Sequence, residues 1–131
     1  DDLLGKHFAI LGTTGTGKSC TTALVLRAIL GANPNAHIVF TVSPVKHLRD
    51  GILENLRSKS TLISALHEVL ESAAPNVHYF PAYEIVREEL NDWKHYKEDH
   101  MHPTADAIDH VFERFYSSFF GNNASTLGAA L

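Results

Sequence analysis

Two stretches of this 131-residue chain hold side chains whose types and spacing can do chemistry. The first, Gly12-Thr13-Thr14-Gly15-Thr16-Gly17-Lys18-Ser19, fits G-x-x-x-x-G-K-[ST] at every fixed position. Glycines let a backbone curl so that its N–H groups point inward, and a following helix adds the positive end of its dipole. In such a loop Lys18 meets the β- and γ-phosphates and Ser19 ligates Mg²⁺, so ATP with Mg²⁺ is the implied ligand. The second stretch is Asp99-x-x-His102, inside Glu98-Asp99-His100-Met101-His102-Pro103. A carboxylate beside an imidazole fixes its tautomer and makes it a general base. The alternative use of this region is zinc binding by His95, Asp99, His100 and His102, although their spacing fits no zinc signature.

The elements that must position these residues can be read from hydrophobic period and chain breakers. Phe8 to Leu11 is a short apolar run stopped by Gly12, as in a buried parallel strand. Lys18 to Leu30 is apolar on nearly every side, which predicts a buried helix with Gly31 as its C-cap and Pro34 beyond. His37 to Val42 is β-branched and aromatic and predicts a strand ended by Ser43-Pro44. Leu56, Leu62, Ile63, Leu66, Val69 and Leu70 recur at three- and four-residue spacing, a helix that Pro75 terminates. Val77 to Phe80 is a third strand, bounded by Pro81.

Beyond Pro81, Tyr83 to Leu90 is predicted helical and Asn91 to His102 a polar loop. Pro103, at a first-turn position, opens a last helix with Ile108, Val111, Phe112, Phe115, Tyr116 and Phe119 on one face. Trp93 and Tyr96 either line the crevice or cover the core, the second being the expectation, and residues 121–131 form a small polar tail. The order β-α-β-α-β-α-α implies an α/β three-layer sandwich with a mainly parallel sheet of about three strands.

Composition narrows the classes. Apolar residues make up 44% and charged residues 20%, a globular balance. Eleven basic against fifteen acidic residues give a net charge of −4, the wrong sign for a nucleic-acid-binding surface. Cys20 is the single cysteine, which excludes an internal disulfide and a multi-cysteine metal cage. No apolar run is long enough to span a bilayer, so the expectation is a soluble cytoplasmic protein without a membrane partner. Nine histidines are the compositional oddity.

Two resemblances carry these residues further. Lys6 to Cys20, with Leu24 to Leu30 and Asn33-Pro34-Asn35-Ala36-His37, resembles the Walker A region of HerA-type DNA-translocating ATPases over residues 1–37. Where that family has Asp-Pro-His after the next strand, this chain has Phe40-Thr41-Val42-Ser43-Pro44. Ser43 to Gly51, Glu54-Asn55, Ser58-Lys59, Tyr79 to Val86 and Leu90 to Pro103 together resemble the C-terminal half of a GSCFA domain, over residues 38–120. GSCFA domains are similar to SGNH (GDSL-like) hydrolases. By that resemblance Asp99 orients His102, His102 activates a serine, and acyl esters are the substrates. The family's Gly-Ser-Cys-Phe-Ala stretch has only Gly17-Lys18-Ser19-Cys20 as a counterpart, which makes Ser19 the surrogate nucleophile.

Three functions follow as expectations. One is ester hydrolysis by Asp99 and His102, with Ser19 facing the same cleft. Another is nucleotide binding by Gly12 to Ser19. The third is a chain without activity, a fusion or fragment joined near residues 33–40. A small-molecule ester or a nucleotide is the expected partner.

Overall fold

The computed structural model describes residues 18–120, with side chains from Thr21 onward. The expected strand Phe8–Leu11, the loop Gly12–Gly17 and the tail 121–131 lie outside the described residues. Two compact units divide the chain, one ending at Ala36 and the other beginning at His37.

In the first unit the described element is helix α1, Lys18–Ala32. It runs through Gly31 instead of stopping there, and Asn33 N–H donates to Ile29 O at 2.8 Å to extend the last turn. Its described side chains are half-buried or exposed, Leu24 at 67%. The expectation of a buried helix is therefore corrected. Thr21, Thr22 and Arg27 interrupt the apolar residues and are exposed, so the helix is not apolar all round, and its half-buried apolar side chains are Val25, Leu26, Ile29 and Leu30.

The second unit holds strands β1, Ile38–Thr41, and β2, Val77–Phe80, with helix α2, Ile52–Glu71, between them. The strands pair in parallel with Ile38 opposite Val77 and Thr41 opposite Phe80. A long helical crossover is what a parallel pair requires. His37 and His78 stack at the start of the pair, ring centroids 5.1 Å apart and 7° from parallel. After β2 come one turn of helix α3, Ala82–Glu84, continued as a π turn over Ile85–Glu89, then a 3₁₀ turn at Trp93–His95 and helix α4, Ala105–Phe120. Leu90 N–H to Ile85 O at 3.2 Å is the i to i+5 bond of the π turn.

The described fold is thus mixed α/β with a two-stranded parallel sheet and four helices, against the expected three strands. The first expected strand falls outside the described residues. Phe80, Ala82 and Ile85 form the core cluster, with Val39, Val111, Phe115 and Phe119 packed on it. Only one stripe of α4 reaches that cluster. Ile108, Phe112 and Tyr116, expected on the same face, are 54–62% exposed. A helix turns about 100° per residue, so the 111-115-119 and 108-112-116 rows are neighbours that cannot both point inward.

The start of α4 also differs from expectation. Pro103 is buried one residue outside the helix, and Thr104 caps it, its Oγ1 accepting from Ala107 N–H at 3.4 Å. Gly51 precedes α2 with φ 91° and ψ 168°, a conformation open essentially to glycine alone. A Cβ there would meet nothing within 4 Å, so the constraint is backbone conformation and not space.

Candidate functional site

The site is built on the chain reversal between the 3₁₀ turn and α4. Asp92 starts it, its Oδ1 accepting from Lys94 N–H at 3.1 Å. Tyr96 then forms an antiparallel bridge with Pro103, and Lys97 N–H donates to His102 O at 2.8 Å. Thr104 N–H donates to His95 O at 2.9 Å, closing the base of the reversal. At its tip His100 takes a left-handed φ of 56° while its N–H donates to Lys97 O at 2.8 Å. Histidine is one of the few residue types enriched in that region of backbone space.

This tip brings Asp99 and His102 together as the sequence predicts. Asp99 Oδ1 accepts from Met101 N–H at 2.9 Å and from His102 N–H at 3.0 Å. Asp99 Oδ2 faces His102 Nδ1 at 2.6 Å. The His102 N–H, then the Met101 N–H, then the imidazole hold the Asp99 carboxyl well below the usual carboxylate range. An ionised carboxylate only accepts, so Nδ1 carries the proton and Nε2 of the neutral ring keeps a lone pair. The His102 side chain is 53% exposed, so that lone pair can meet a reactant. This is the arrangement of an oriented general base.

The reversal is seated on the segment after β1. Lys46 N–H donates to Met101 O at 3.0 Å, between the two dyad residues. That segment is in turn clamped from α2 by two buried polar side chains. Asn55 Oδ1 accepts from His47 N–H at 2.7 Å, and Lys59 Nζ donates to Ser43 O at 2.6 Å. Burial pushes the Lys59 ammonium down from its ordinary value. The hydrogen bond to a carbonyl keeps its charge partnered.

A cavity of about 400 Å³ opens between this segment, α2 and the π turn. Trp93 and Tyr96 line it together with Lys46, whose Nζ lies 3.5 Å over the Tyr96 ring and 4.4 Å over Trp93. The expectation that Trp93 covers the core is corrected: it is 66% exposed at the cavity edge, and His100 packs edge-on against it. Tyr79, below, donates its hydroxyl to both oxygens of Glu84 at 2.8 and 2.9 Å. Burial first, and the Glu84 carboxylate next, push that phenol up out of the physiological range.

A scan of protein families matches the chain to the GSCFA family over residues 8–115. The chain belongs to the GSCFA family. No curated protein and no solved structure matches. The GSCFA match begins at residue 8, not near residue 40, and so takes in most of the stretch that resembles a HerA-type Walker A region. One family thereby accounts for both sides of the junction expected near residues 33–40, and no comparison supports a HerA-type segment.

Of the expected phosphate-loop residues, Gly12, Thr13, Thr14, Gly15, Thr16 and Gly17 lie outside the described residues. Lys18 and Ser19 open α1, and their side chains lie outside the description too. The expected shared cleft of Ser19 and His102 therefore lies outside the described residues as well. The zinc alternative does not gather: among the described residues no group of three or more His, Cys, Asp or Glu side chains is placed to hold a metal ion. Among them too, no helix is long and apolar enough to cross a membrane.

Sequence reasoning missed the roles of Asn55, Lys59 and Lys46. A signal existed. Leu56, Lys59, Ile63, Leu66 and Leu70 share one three-and-four spacing, so Lys59 occupies a position whose neighbours are apolar. A lysine in such a row has to find a buried acceptor.

Proposed function

We propose that this GSCFA-family chain is an SGNH-like hydrolase acting on acyl esters, with His102 as general base and Asp99 as its orienting carboxylate. The reading is carried by one observation, the 2.6 Å contact between His102 Nδ1 and an Asp99 carboxylate held by two backbone N–H groups. In this reaction His102 Nε2 takes the proton of a serine hydroxyl as the oxygen attacks the acyl carbon. It then returns that proton to the leaving alcohol, and a second cycle with water frees the acid. Asp99 stays ionised throughout and supports the imidazolium that forms between the two transfers. Ser19 is the proposed nucleophile on sequence grounds, as the serine of Gly17-Lys18-Ser19-Cys20.

The competing proposal is binding of ATP and Mg²⁺ by Gly12 to Ser19, and it rests on the motif alone. One pair of measurements separates them. Hydrolysis of p-nitrophenyl acyl esters is followed for the natural chain, Ser19→Ala and His102→Ala, and ATP affinity for the natural chain and Lys18→Ala. The hydrolase reading expects both ester variants to fall to background with ATP binding absent. An ester rate indifferent to His102→Ala overturns it. ATP binding abolished by Lys18→Ala would establish the nucleotide reading, and a chain with neither activity would be an inactive relative.

A further inference from the structure

The cavity beside the dyad loop has its own chemistry. Its walls are mostly apolar, from Leu48, Ile52, Leu56 and Val86, and its rim carries the aromatic rings of Trp93 and Tyr96. Its volume of about 400 Å³ lies in the range of small-molecule sites. The charged groups around it differ in how far they are already satisfied. Arg87 donates to the Tyr83 hydroxyl at 2.8 Å and pairs with Glu88 at 3.2 Å. Asp92 is occupied by Lys94, through its backbone N–H at 3.1 Å and its ammonium at 3.4 Å.

Lys46 is different. Its ammonium lies over two aromatic faces and, among the described residues, has no carboxylate partner. Asn55, 7% exposed, lines the same cavity, and its carbonyl oxygen is already used by His47 N–H. The group Asn55 has left is its NH₂, a donor. A cavity with an unneutralised cation, a buried donor and apolar walls is complementary to an anion carried on an apolar body.

We infer that this cavity is a binding site for an apolar small molecule bearing a carboxylate, with the anion taken by Lys46 and Asn55 and the body by Ile52, Leu56, Trp93 and Tyr96. The aromatic faces hold the ammonium in place before the ligand arrives, so little side-chain freedom is lost on binding. A carboxylate can then pair with the outer hydrogens of the ammonium while the rings keep its inner face. The site stands without the hydrolase reading. If that reading holds, it receives the non-reacting end of the substrate, because Lys46 N–H also anchors the dyad loop at Met101 O.

Trp93 is the single tryptophan of the chain, so its emission reports on the cavity directly. Three ligands with one body and different heads, 4-phenylbutyrate, 4-phenylbutanol and 4-phenylbutylammonium, are titrated against the natural chain by calorimetry and Trp93 emission. The site predicts saturable binding of the carboxylate, about tenfold weaker binding of the alcohol, and none of the ammonium. Lys46→Met weakens the carboxylate about tenfold and leaves the alcohol unchanged, while Lys46→Arg restores most of the difference. His102→Ala leaves all three affinities as they were, whatever it does to ester turnover. Equal affinity for the three heads, no binding of the carboxylate, or a Lys46→Met affinity equal to that of the natural chain would each overturn the inference. Should Lys46→Met not fold, the comparison of heads on the natural chain decides.

Discussion

Two imidazoles in the second unit have partners at nearly the same distance and opposite electrostatic fates. His102 Nδ1 lies 2.6 Å from a carboxylate oxygen of Asp99, and His78 Nε2 lies 2.8 Å from Nδ1 of His37. The first partner is an anion, which accepts the proton on Nδ1 and leaves Nε2 free to face a reactant. The second is another base, so a proton on one ring works against a proton on the other. Burial, and then the charge of His37, push the His78 imidazole down from its ordinary value. Phe119 packs edge-on against His78 and adds no compensating charge. At nearly equal contact distance, the charge of the partner decides which member of each pair is shifted: the Asp99 carboxyl in one, the His78 imidazole in the other.

Removing each partner should break the comparison in a graded way. His102→Ala has the largest effect: ester hydrolysis falls by about three to four orders of magnitude, to background, with the folded far-UV spectrum retained. Asp99→Asn comes next, with a loss in kcat of about two to four orders of magnitude. The amide introduced by that substitution still accepts the two backbone N–H groups through its carbonyl oxygen. It turns an N–H toward Nδ1, however, which moves the ring proton to Nε2 and removes the base. Comparable kcat values for Asp99→Asn and the natural chain would show that the dyad is structural.

The clamp beneath the loop should respond in stability. Lys59→Ala removes the ammonium bond to Ser43 O and lowers the unfolding free energy by about 2 kcal/mol, read from urea midpoints. Lys59→Met loses the same bond but keeps the apolar stem, and costs less. An unchanged midpoint in Lys59→Ala would mean that the segment Ser43 to His47 holds itself.

The smallest effects are in pH dependence, and the two pairs differ in the window they occupy. The folded value of Asp99 lies below its ordinary one of about 3.9, so its stabilisation is present above that pH and is lost as pH falls toward the folded value. His78 is also lowered, but from about 6.5, and the unfolded chain therefore takes up its proton first on acidification. Stability linked to His78 declines as pH falls below that point and levels once the folded ring is protonated too. In thermal melts between neutral and mildly acid pH, His78→Gln should flatten this decline and Asp99→Asn should not. Below the carboxylate range the order reverses.

Much of this arrangement was legible in the sequence. The strand Val77 to Phe80 was bounded by Pro75 and Pro81, and the structure places β2 there. Asp99 and His102 were joined by their spacing together with the GSCFA resemblance of the blocks around them. Longer-range facts were not readable. The 108-112-116 and 111-115-119 rows on α4 are both apolar, and only the position of Phe80 and Ile85 selects which of the two is covered. Pro103 suits a first-turn position, but its pairing with Tyr96 draws it into the reversal and leaves the cap to Thr104. The π turn has no residue signature of its own, and the structure places the buried Ile85 and Val86 at its start.

The hydrogen bond from Lys46 N–H to Met101 O joins positions far apart along the chain, whereas Asp99 and His102 are neighbours within one turn. The two therefore belong to different stages of folding. A local pair can close on the timescale of a short loop, but its seat forms only when residues 46 and 101 meet, after the sheet and α2 have brought them together. The chemical pair can thus exist before the domain does. Its fixed position beside the cavity arrives last, and should be the first thing lost when the domain loosens.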